Sequence, residues 1–472
     1  MKVMIDVSYI RLTPLGIDAV LYMNEEPTAA LPVQLLRGGD VVFTLELPLA
    51  AIRETKTAQD GFLVKYEFQQ PLELDIHLFQ DSLTAHIPSL KQQIGLDEHR
   101  LIDVHGVQAL ASALGGGEEL DGLDLSSMQD LQLLEAACER KLKPAFYEPM
   151  SPAFPLAAEV TIPPIVRAKI RNAKILLPHG IVVAGEQFAI DANPYNILRR
   201  PGIFRVNNKA LWHDIKPDMR VETAKCLIDA GHQNYYHWLI GIFSRMNYFG
   251  RPENTSDTYL SGPLHSGFQS YFMKKAGLSP EQLLVPPPGT RVVEVDELDY
   301  VNTPGFPAGM AAGALAFLQD IVGDEQDYAF KRPAKIYITR RGIDKRPIAN
   351  EQEIARLMAA NGFVEVQPEY LSPLEQARVF ASAEVIVAQS GAALTNLVFC
   401  KKLQYFIELF ADAPMGAHIA NMWRCLADQT GAQHTAIVAM RIGQNSERSQ
   451  QNLNKGRYYV DMDDLSGALK HI

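Results

Sequence analysis

Cysteine is scarce: there are four in 472 residues (Cys138, Cys226, Cys400 and Cys425), and no two of them form a CxxC pair. That spacing excludes a disulfide framework and a thiolate zinc site, and it reads as buried free thiols in a reducing compartment. No run approaches the roughly 18 apolar residues that a bilayer-spanning helix needs. The opening residues MKVMIDVSYIRLTPLG lack an apolar stretch followed by a small-residue cleavage site, so no secretory signal is expected. A soluble cytoplasmic chain, at most peripheral to a membrane, is the expectation. Positive charge is also in deficit, with 44 Lys and Arg against 55 Asp and Glu and a net charge of −11. General nucleic-acid binding, which needs a basic face to displace counterions, is thereby excluded. A local basic pocket for a phosphate-bearing substrate is not. No GxGxxG follows an early strand, which disfavours a dinucleotide-dependent oxidoreductase.

What is present is ordinary globular composition, 47% hydrophobic and 21% charged, on a chain too long for one core. Two or three domains are expected. Residues 1 to about 100 alternate apolar and polar positions, as in Val41–Leu47, Phe62–Phe68 and Leu72–Leu78. A period of two predicts strands with one solvated face in a small antiparallel sheet or sandwich. After the Gly115-Gly116-Gly117 break, Met128, Leu131, Leu134, Ala137, Cys138 and Leu142 recur at three-to-four spacing, predicting one helix over Ser126–Lys143. A Pro-rich passage from Pro144 to Pro164 then reads as the boundary of this extension, near residue 150.

From about residue 220, strands and helices alternate. Strand 221–230, helix 234–249, strand 258–260, helix 265–276 and strand 291–301 come first. In the last third, strands 335–339, 363–366, 385–388, 405–409 and 436–439 alternate with helices 351–361, 373–383 and 415–430. Parallel neighbours require crossovers, so this order predicts a doubly wound parallel sheet, and two such regions predict two facing α/β domains.

Ligands of open α/β sheets sit at the carboxyl ends of the strands. Three features fall there. Arg340, Arg341, Lys345 and Arg346 put four basic side chains in seven positions directly after a strand. They read either as a diphosphate clamp, through paired charge-assisted hydrogen bonds, or as a solvated basic loop. Ser390-Gly391-Ala392 lets a ligand approach the backbone at the start of a helix that runs through Asn396. Free amides and the dipole favour an anion there, although tight strand–helix packing explains the small residues equally well. Glu408, near a strand end, is placed either to accept from ribose hydroxyls or to be merely solvated or paired. Asn350 and Glu353 read as a structural helix cap. Upstream, Asn234 suits an N-cap, which puts His237 in a first helical turn where the dipole keeps an imidazole neutral. A general base and a packed histidine beside Tyr236 and Trp238 are both open.

Taken together these segments resemble glycosyltransferase family 61 (DUF563, the capsular-polysaccharide type). The matching residues are Asn234-Tyr235-Tyr236-His237-Trp238-Leu239 with Arg245, Ile338-Thr339-Arg340-Arg341 and Arg346-Pro347-Ile348-Ala349-Asn350-Glu351. They continue through Gly362-Phe363, Leu371-Ser372 with Glu375-Gln376, Ser390 to Leu397 and Ile407-Glu408-Leu409. The resemblance implies a GT-B architecture, with an acceptor-side Rossmann-like domain (151–325) and a donor-nucleotide domain (326–472); the β-rich extension (1–150) lies outside it and its role is unassigned. It implies inverting transfer from a UDP-sugar to a glycan acceptor, in bacterial surface polysaccharide synthesis, by a cytoplasmic enzyme at most peripheral to the inner membrane. Carried over, Arg340, Arg341, Lys345, Arg346, Ser390, Gly391, Ala392 and Asn396 become donor ligands and Glu408 a ribose contact. Asn234, Tyr236, Trp238 and Arg245 fall on the acceptor side. No DxD-like triad stands at a C-terminal strand end, so no metal or other cofactor is required. Two departures stand out: Gly241 replaces an acid often found four positions after His237, and Ser390 replaces a histidine. Asp229 and His232 are the expected substitutes for the missing acid beside His237. A catalytically degenerate member that binds a glycan or an assembly partner is the alternative.

Overall fold

The computed structural model describes residues 5–13, 16–23, 31–37, 39–47, 51–58, 61–70, 83–87, 92–95, 99–106, 128–143, 158–177, 180–184, 188–191, 203–206, 209–213, 217–229, 231–250, 257–264, 266–303, 309–323, 333–344, 346–411, 416–442 and 456–472, with residues 111, 114, 252 and 305. The expected strand 72–78, the Gly115–Gly117 break and Lys345 lie outside them.

The chain is mixed α/β with parallel sheets. In the last third, six strands stand in the order Val364–Val366, Lys335–Ile338, Val385–Gln389, Tyr405–Ala411, Gln433–Ile442 and Arg457–Tyr459. The first five are parallel and the last is antiparallel. Counted along the chain the order is second, first, third, fourth, fifth, so the winding reverses between Lys335–Ile338 and Val385–Gln389. Helices cover both faces, as the near-continuous apolar strands require. Glu351–Ala360 and Met462–Leu469 pack on Tyr337, Val387, Ile407 and Leu409. Pro373–Ser382, the 3₁₀ helix Ala392–Phe399 and Gly416–Gln429 enclose Ile338, Ile386, Ala388 and Phe406. These boundaries follow the sequence closely because each crossover carries its own punctuation; Ser372 with Glu375, for instance, forms a capping box.

The larger sheet departs from the expectation of a second doubly wound domain. Val292–Val301, Met219–Leu227, Tyr259–Ser261 and Leu283–Leu284 are parallel. Ile165–Leu176, by contrast, pairs antiparallel with Ile181–Ala184, with Val292–Val301 and with Met128–Glu135. The connection between Leu176 and Ile181 is too short for a crossover, so that pair has no parallel option. The sheet also takes in His99–Gly106. Nearer the N-terminus, Ile5–Thr13, Gly16–Met23, Gly61–Gln70 and Ala51–Ala58 pair antiparallel, as do Asp40–Leu47, Leu31–Arg37, Leu83–Ile87 and Gln92–Gly95.

The helix expected over Ser126–Lys143 is a correction. Its residues form strands Met128–Glu135 and Cys138–Lys141. A register shift between Gln129 and Gln132, with Asp130 at φ 48°, changes the phase of the strand so that its apolar residues mimic helical spacing. Leu133 and Leu134 end up exposed, whereas a helix would have needed that face buried.

This strand pair straps the two sheets together. Glu135 Oε1 accepts from Tyr248 Oη at 2.6 Å and from the Gly313 amide at 3.0 Å, capping helix Ala312–Ile321 from outside it. Arg140 donates to Asp428 Oδ2 at 2.7 Å and to the Asp428 carbonyl at 3.1 Å, and the Lys143 amide reaches Oδ1 at 3.2 Å. Among the described residues, no helix is long and apolar enough to cross a membrane. Asp428 is nearly buried while Arg140 is about one-third exposed, so the pair is worth less than a sealed one. Asp428→Ala is expected to lower stability by roughly 1–3 kcal/mol, read as a lower urea midpoint; an unchanged midpoint would show the strap to be decorative.

Candidate active site

The point where the winding reverses opens a crevice at the strands' carboxyl ends. Thr339 and Arg340 leave the strand Lys335–Ile338 there, and Ser390 and Gly391 leave Val385–Gln389. Glu351, in the first turn of its helix, folds the exit of the first strand. Its Oε1 accepts from Thr339 Oγ1 at 2.7 Å and from the Arg340 amide at 2.8 Å. Arg340 then lies against the second strand's exit, since a Cβ at position 391 would collide with Arg340 Nη1.

Arg346 comes to the same place from the far end of the loop. It has φ 56°, left-handed backbone that is uncommon outside glycine. Its carbonyl accepts from Gln389 Nε2. The residues after it are pinned to the last strand. The Ala349 amide donates to the Tyr458 carbonyl at 2.6 Å, and the Tyr458 amide donates to the Pro347 carbonyl at 2.9 Å. The expected Asn350–Glu353 cap is a further correction. The Asn350 side chain exchanges hydrogen bonds with the Val460 backbone, at 2.7 and 3.1 Å, instead of capping its helix.

Both guanidinium groups are held below the ordinary arginine range. Burial is the leading cause for each, and for Arg340 the charge of Arg346 adds to it. Two desolvated cations side by side are unfavourable until an anion joins them. Arg346 Nε has no hydrogen-bond partner, nor have the buried Ser390 Oγ and Glu408 Oε1. The other oxygen of Glu408, Oε2, lies 3.0 Å from Nε2 of the buried His434. Buried donors and acceptors without partners, gathered at this edge of the sheet, suit a ligand carrying phosphate and hydroxyl groups.

The second part of the site follows strand Met219–Leu227. Asn234 caps the next turn as expected, its Oδ1 accepting from the Tyr236 amide at 2.9 Å. His237 opens a π-helical turn, His237–Ile242, a distortion frequent at functional sites. Its ring covers Gly231, where a Cβ would meet it at 3.0 Å and φ is 84°. Burial lowers the His237 pKa and the charge of Asp229 opposes the shift. Asp229 itself is fixed: its Oδ2 accepts from Arg245 Nη2 at 2.8 Å and from Thr303 Oγ1 at 3.0 Å.

The two parts meet at a seam. Tyr235 Oη donates to Asn396 Oδ1 at 2.7 Å, and Tyr236 packs edge-on against Trp423.

Several expected ligands are placed elsewhere. Arg341 is exposed and paired with Glu365 at 2.9 Å, outside the Arg340–Arg346 pair. Asn396 is fully buried, with its amide donating to Gln376 and to the Ala393 carbonyl; it joins the halves rather than facing a donor. Trp238 is stacked on Phe243 in the core. Tyr236 is buried in the seam, and Arg245, 1% exposed, is beneath Asp229. These three therefore do not offer an acceptor surface, because the helix turns its apolar face inward. His232 is buried with its ring against Gly262, where a Cβ would approach to 2.8 Å. Ala392 is exposed beside Gly391. Sequence reasoning missed the roles of Glu351, Gln389, Thr303 and His434. Only Glu351 carried a signal, as an acid shortly after the basic loop. No group of His, Cys, Asp or Glu among the described residues is arranged to hold a metal ion.

Residues 235–407 match the family model described as Glycosyltransferase 61. The match takes in His237, Arg340, Arg346, Ser390 and Gly391 and ends one residue before Glu408. No curated protein matches the chain.

His237 is expected to titrate below the ordinary histidine value of 6.5 and to be neutral at pH 7. Asp229→Asn, which removes the opposing charge, is expected to lower its midpoint further; imidazole NMR titration reads both. Because the folded value lies below the unfolded one, this histidine's contribution to stability is whole above about pH 6.5 and is lost as pH falls from there toward the folded value. A wild-type midpoint at or above 6.5 would overturn the assignment.

Proposed function

We propose that the chain is an inverting glycosyltransferase of GT-B architecture that moves a sugar from a UDP-sugar to a glycan acceptor, in bacterial surface polysaccharide synthesis. On this reading residues 326–472 hold the donor nucleotide, 151–325 face the acceptor and 1–150 form a β-rich extension. The protein works in the cytoplasm or at the inner face of the membrane. The observation that carries the reading is the desolvated Arg340–Arg346 pair beside Ser390 and Gly391. It sits at the reversal point of a doubly wound sheet, within a segment that matches a glycosyltransferase family.

The reaction is a single displacement. The acceptor hydroxyl oxygen bonds to the anomeric carbon as the bond from that carbon to the diphosphate oxygen breaks, and a base takes the hydroxyl proton. Neutral His237 is that base, and the imidazolium it becomes is stabilised by Asp229, whose charge already favours protonation. Charge developing on the leaving diphosphate is met by Arg340, Arg346 and the first amides of the turn at Ala392. Glu408 Oε1 accepts from a ribose hydroxyl. Guanidinium groups replace a metal in this scheme, so none is required.

Incubation with a panel of UDP-sugars tests the proposal. Donor hydrolysis or transfer is expected, undiminished by EDTA. His237→Ala is expected to lower kcat about 10²- to 10⁴-fold. Arg346→Ala should weaken UDP binding about 10- to 100-fold through the loss of a charge-assisted contact. A wild-type protein that binds no nucleotide would instead support a degenerate glycan-binding or assembly protein.

A further inference from the structure

Glu408 is fully buried near the end of strand Tyr405–Ala411, where a lone carboxylate is costly. Only one of its oxygens is engaged. Oε2 meets Nε2 of His434 at 3.0 Å, whereas Oε1 has no partner. Its register neighbours on the two flanking strands are Ala388 and Ala436. Paired residues of parallel strands share a face, so the carboxylate is flanked by two methyl groups that offer it no hydrogen bond. His434 shares that face, two residues before Ala436. Its ring is 2% exposed and packs on Phe406 at 5.2 Å between centroids. Beside this pair, the Ser390 amide donates to the Leu409 carbonyl while its buried hydroxyl has no partner.

We propose that His434 is a positioning residue for ribose recognition: it holds one oxygen of Glu408 so that the other is presented, dry and preorganised, to a hydroxyl of the nucleotide sugar. The inference rests on the donor-site reading above and assigns a role to a residue beyond the family match, which ends at residue 407. The chemistry follows from what each atom lacks. With Nε2–H donating to Glu408, His434 is fixed in one tautomer. The carboxylate keeps one strong acceptor in a place sealed from water, and a sugar hydroxyl brings the proton it needs. Fixing the carboxylate beforehand means that no side-chain ordering cost falls on binding. A mere counter-ion to Arg346, whose guanidinium feels the Glu408 charge, would gain nothing from a ligand hydroxyl.

The test is a thermodynamic cycle in which the ligand supplies one of the changes. Calorimetry compares UDP with 2′-deoxy-UDP and 3′-deoxy-UDP on wild type, His434→Gln and His434→Ala. Wild type is expected to prefer UDP over at least one deoxy form by about 10-fold or more, as a hydrogen bond to a charged acceptor provides. In His434→Ala that preference should shrink to roughly 3-fold or less, with affinity for the same deoxy form little changed; the cycle isolates this coupling from general damage. His434→Gln, which retains an N–H donor, should keep most of the preference. Should the alanine variant not fold, His434→Phe fills the space without a donor and gives the same readout. Equal preferences in wild type and in the variant without a donor would overturn the inference alone. Failure of UDP to bind wild type would overturn the donor-site reading beneath it.

Discussion

Two guanidinium groups brought together away from water are the constraint around which the C-terminal half is arranged. Arg340 and Arg346 leave opposite ends of one loop, and both are depressed by burial. Left to itself, such a loop would swing its charges into solvent. Several independent contacts prevent this. Glu351 fixes the exit of the first strand, and Gln389 holds the Arg346 carbonyl. The last strand grips Pro347 and Ala349, and Val460 grips Asn350. Position 391 has no side chain to push the first guanidinium away. Left-handed backbone at Arg346 is the visible cost of the arrangement, and such strain persists only where the surroundings over-determine it.

The other half solves a different problem with the same economy. An imidazole that must stay neutral needs burial, and a carboxylate nearby works against that by favouring the protonated form. Arg245 and Thr303 both bind one oxygen of Asp229, so part of its charge is spent before it reaches His237. The net shift remains downward. The seam then sets this histidine relative to the donor turn. Tyr235, two residues earlier, is hydrogen-bonded to Asn396, five residues beyond Gly391. One side-chain pair thus links the turn that carries His237 to the turn that follows Gly391, against which Arg340 lies.

The doubly wound sheet was legible because its signals are local: each strand is a short apolar run, and helices such as Pro373–Ser382 carry their own cap. The larger sheet was not, since its pairings join residues far apart in the chain. Met128–Glu135 shows the difference. Its identity as a strand is decided by Ile165–Leu176 and by a bulge, neither visible in a window of eighteen residues. The same division holds within the site. Backbone-determined features, such as the Asn234 cap and the ends of the strands before Arg340 and Ser390, stand where the sequence placed them. Side-chain destinations do not: nothing in the run Arg340-Arg341 says that the first turns to Gly391 and the second to Glu365. Tyr236, Trp238 and Arg245, expected on the acceptor side, are buried for a related reason. Aromatic and basic side chains on an amphipathic turn are as ready to serve a buried seam as a ligand.

Gly241 looked like a loss, a helix without its acid, and its surroundings give the absence a physical content. A Cβ at this position would approach Thr303 Cγ2 at 3.3 Å, tighter than most contacts of its kind. Thr303 cannot yield freely, because its hydroxyl is bound to both Asp229 and Arg245. A longer acidic side chain at 241 would therefore have to displace the residue that fixes Asp229, and it would bring a second negative charge to the same small volume. With glycine in the helix, the carboxylate whose charge His237 feels is Asp229, just beyond the end of the preceding strand and bound by the buried Arg245.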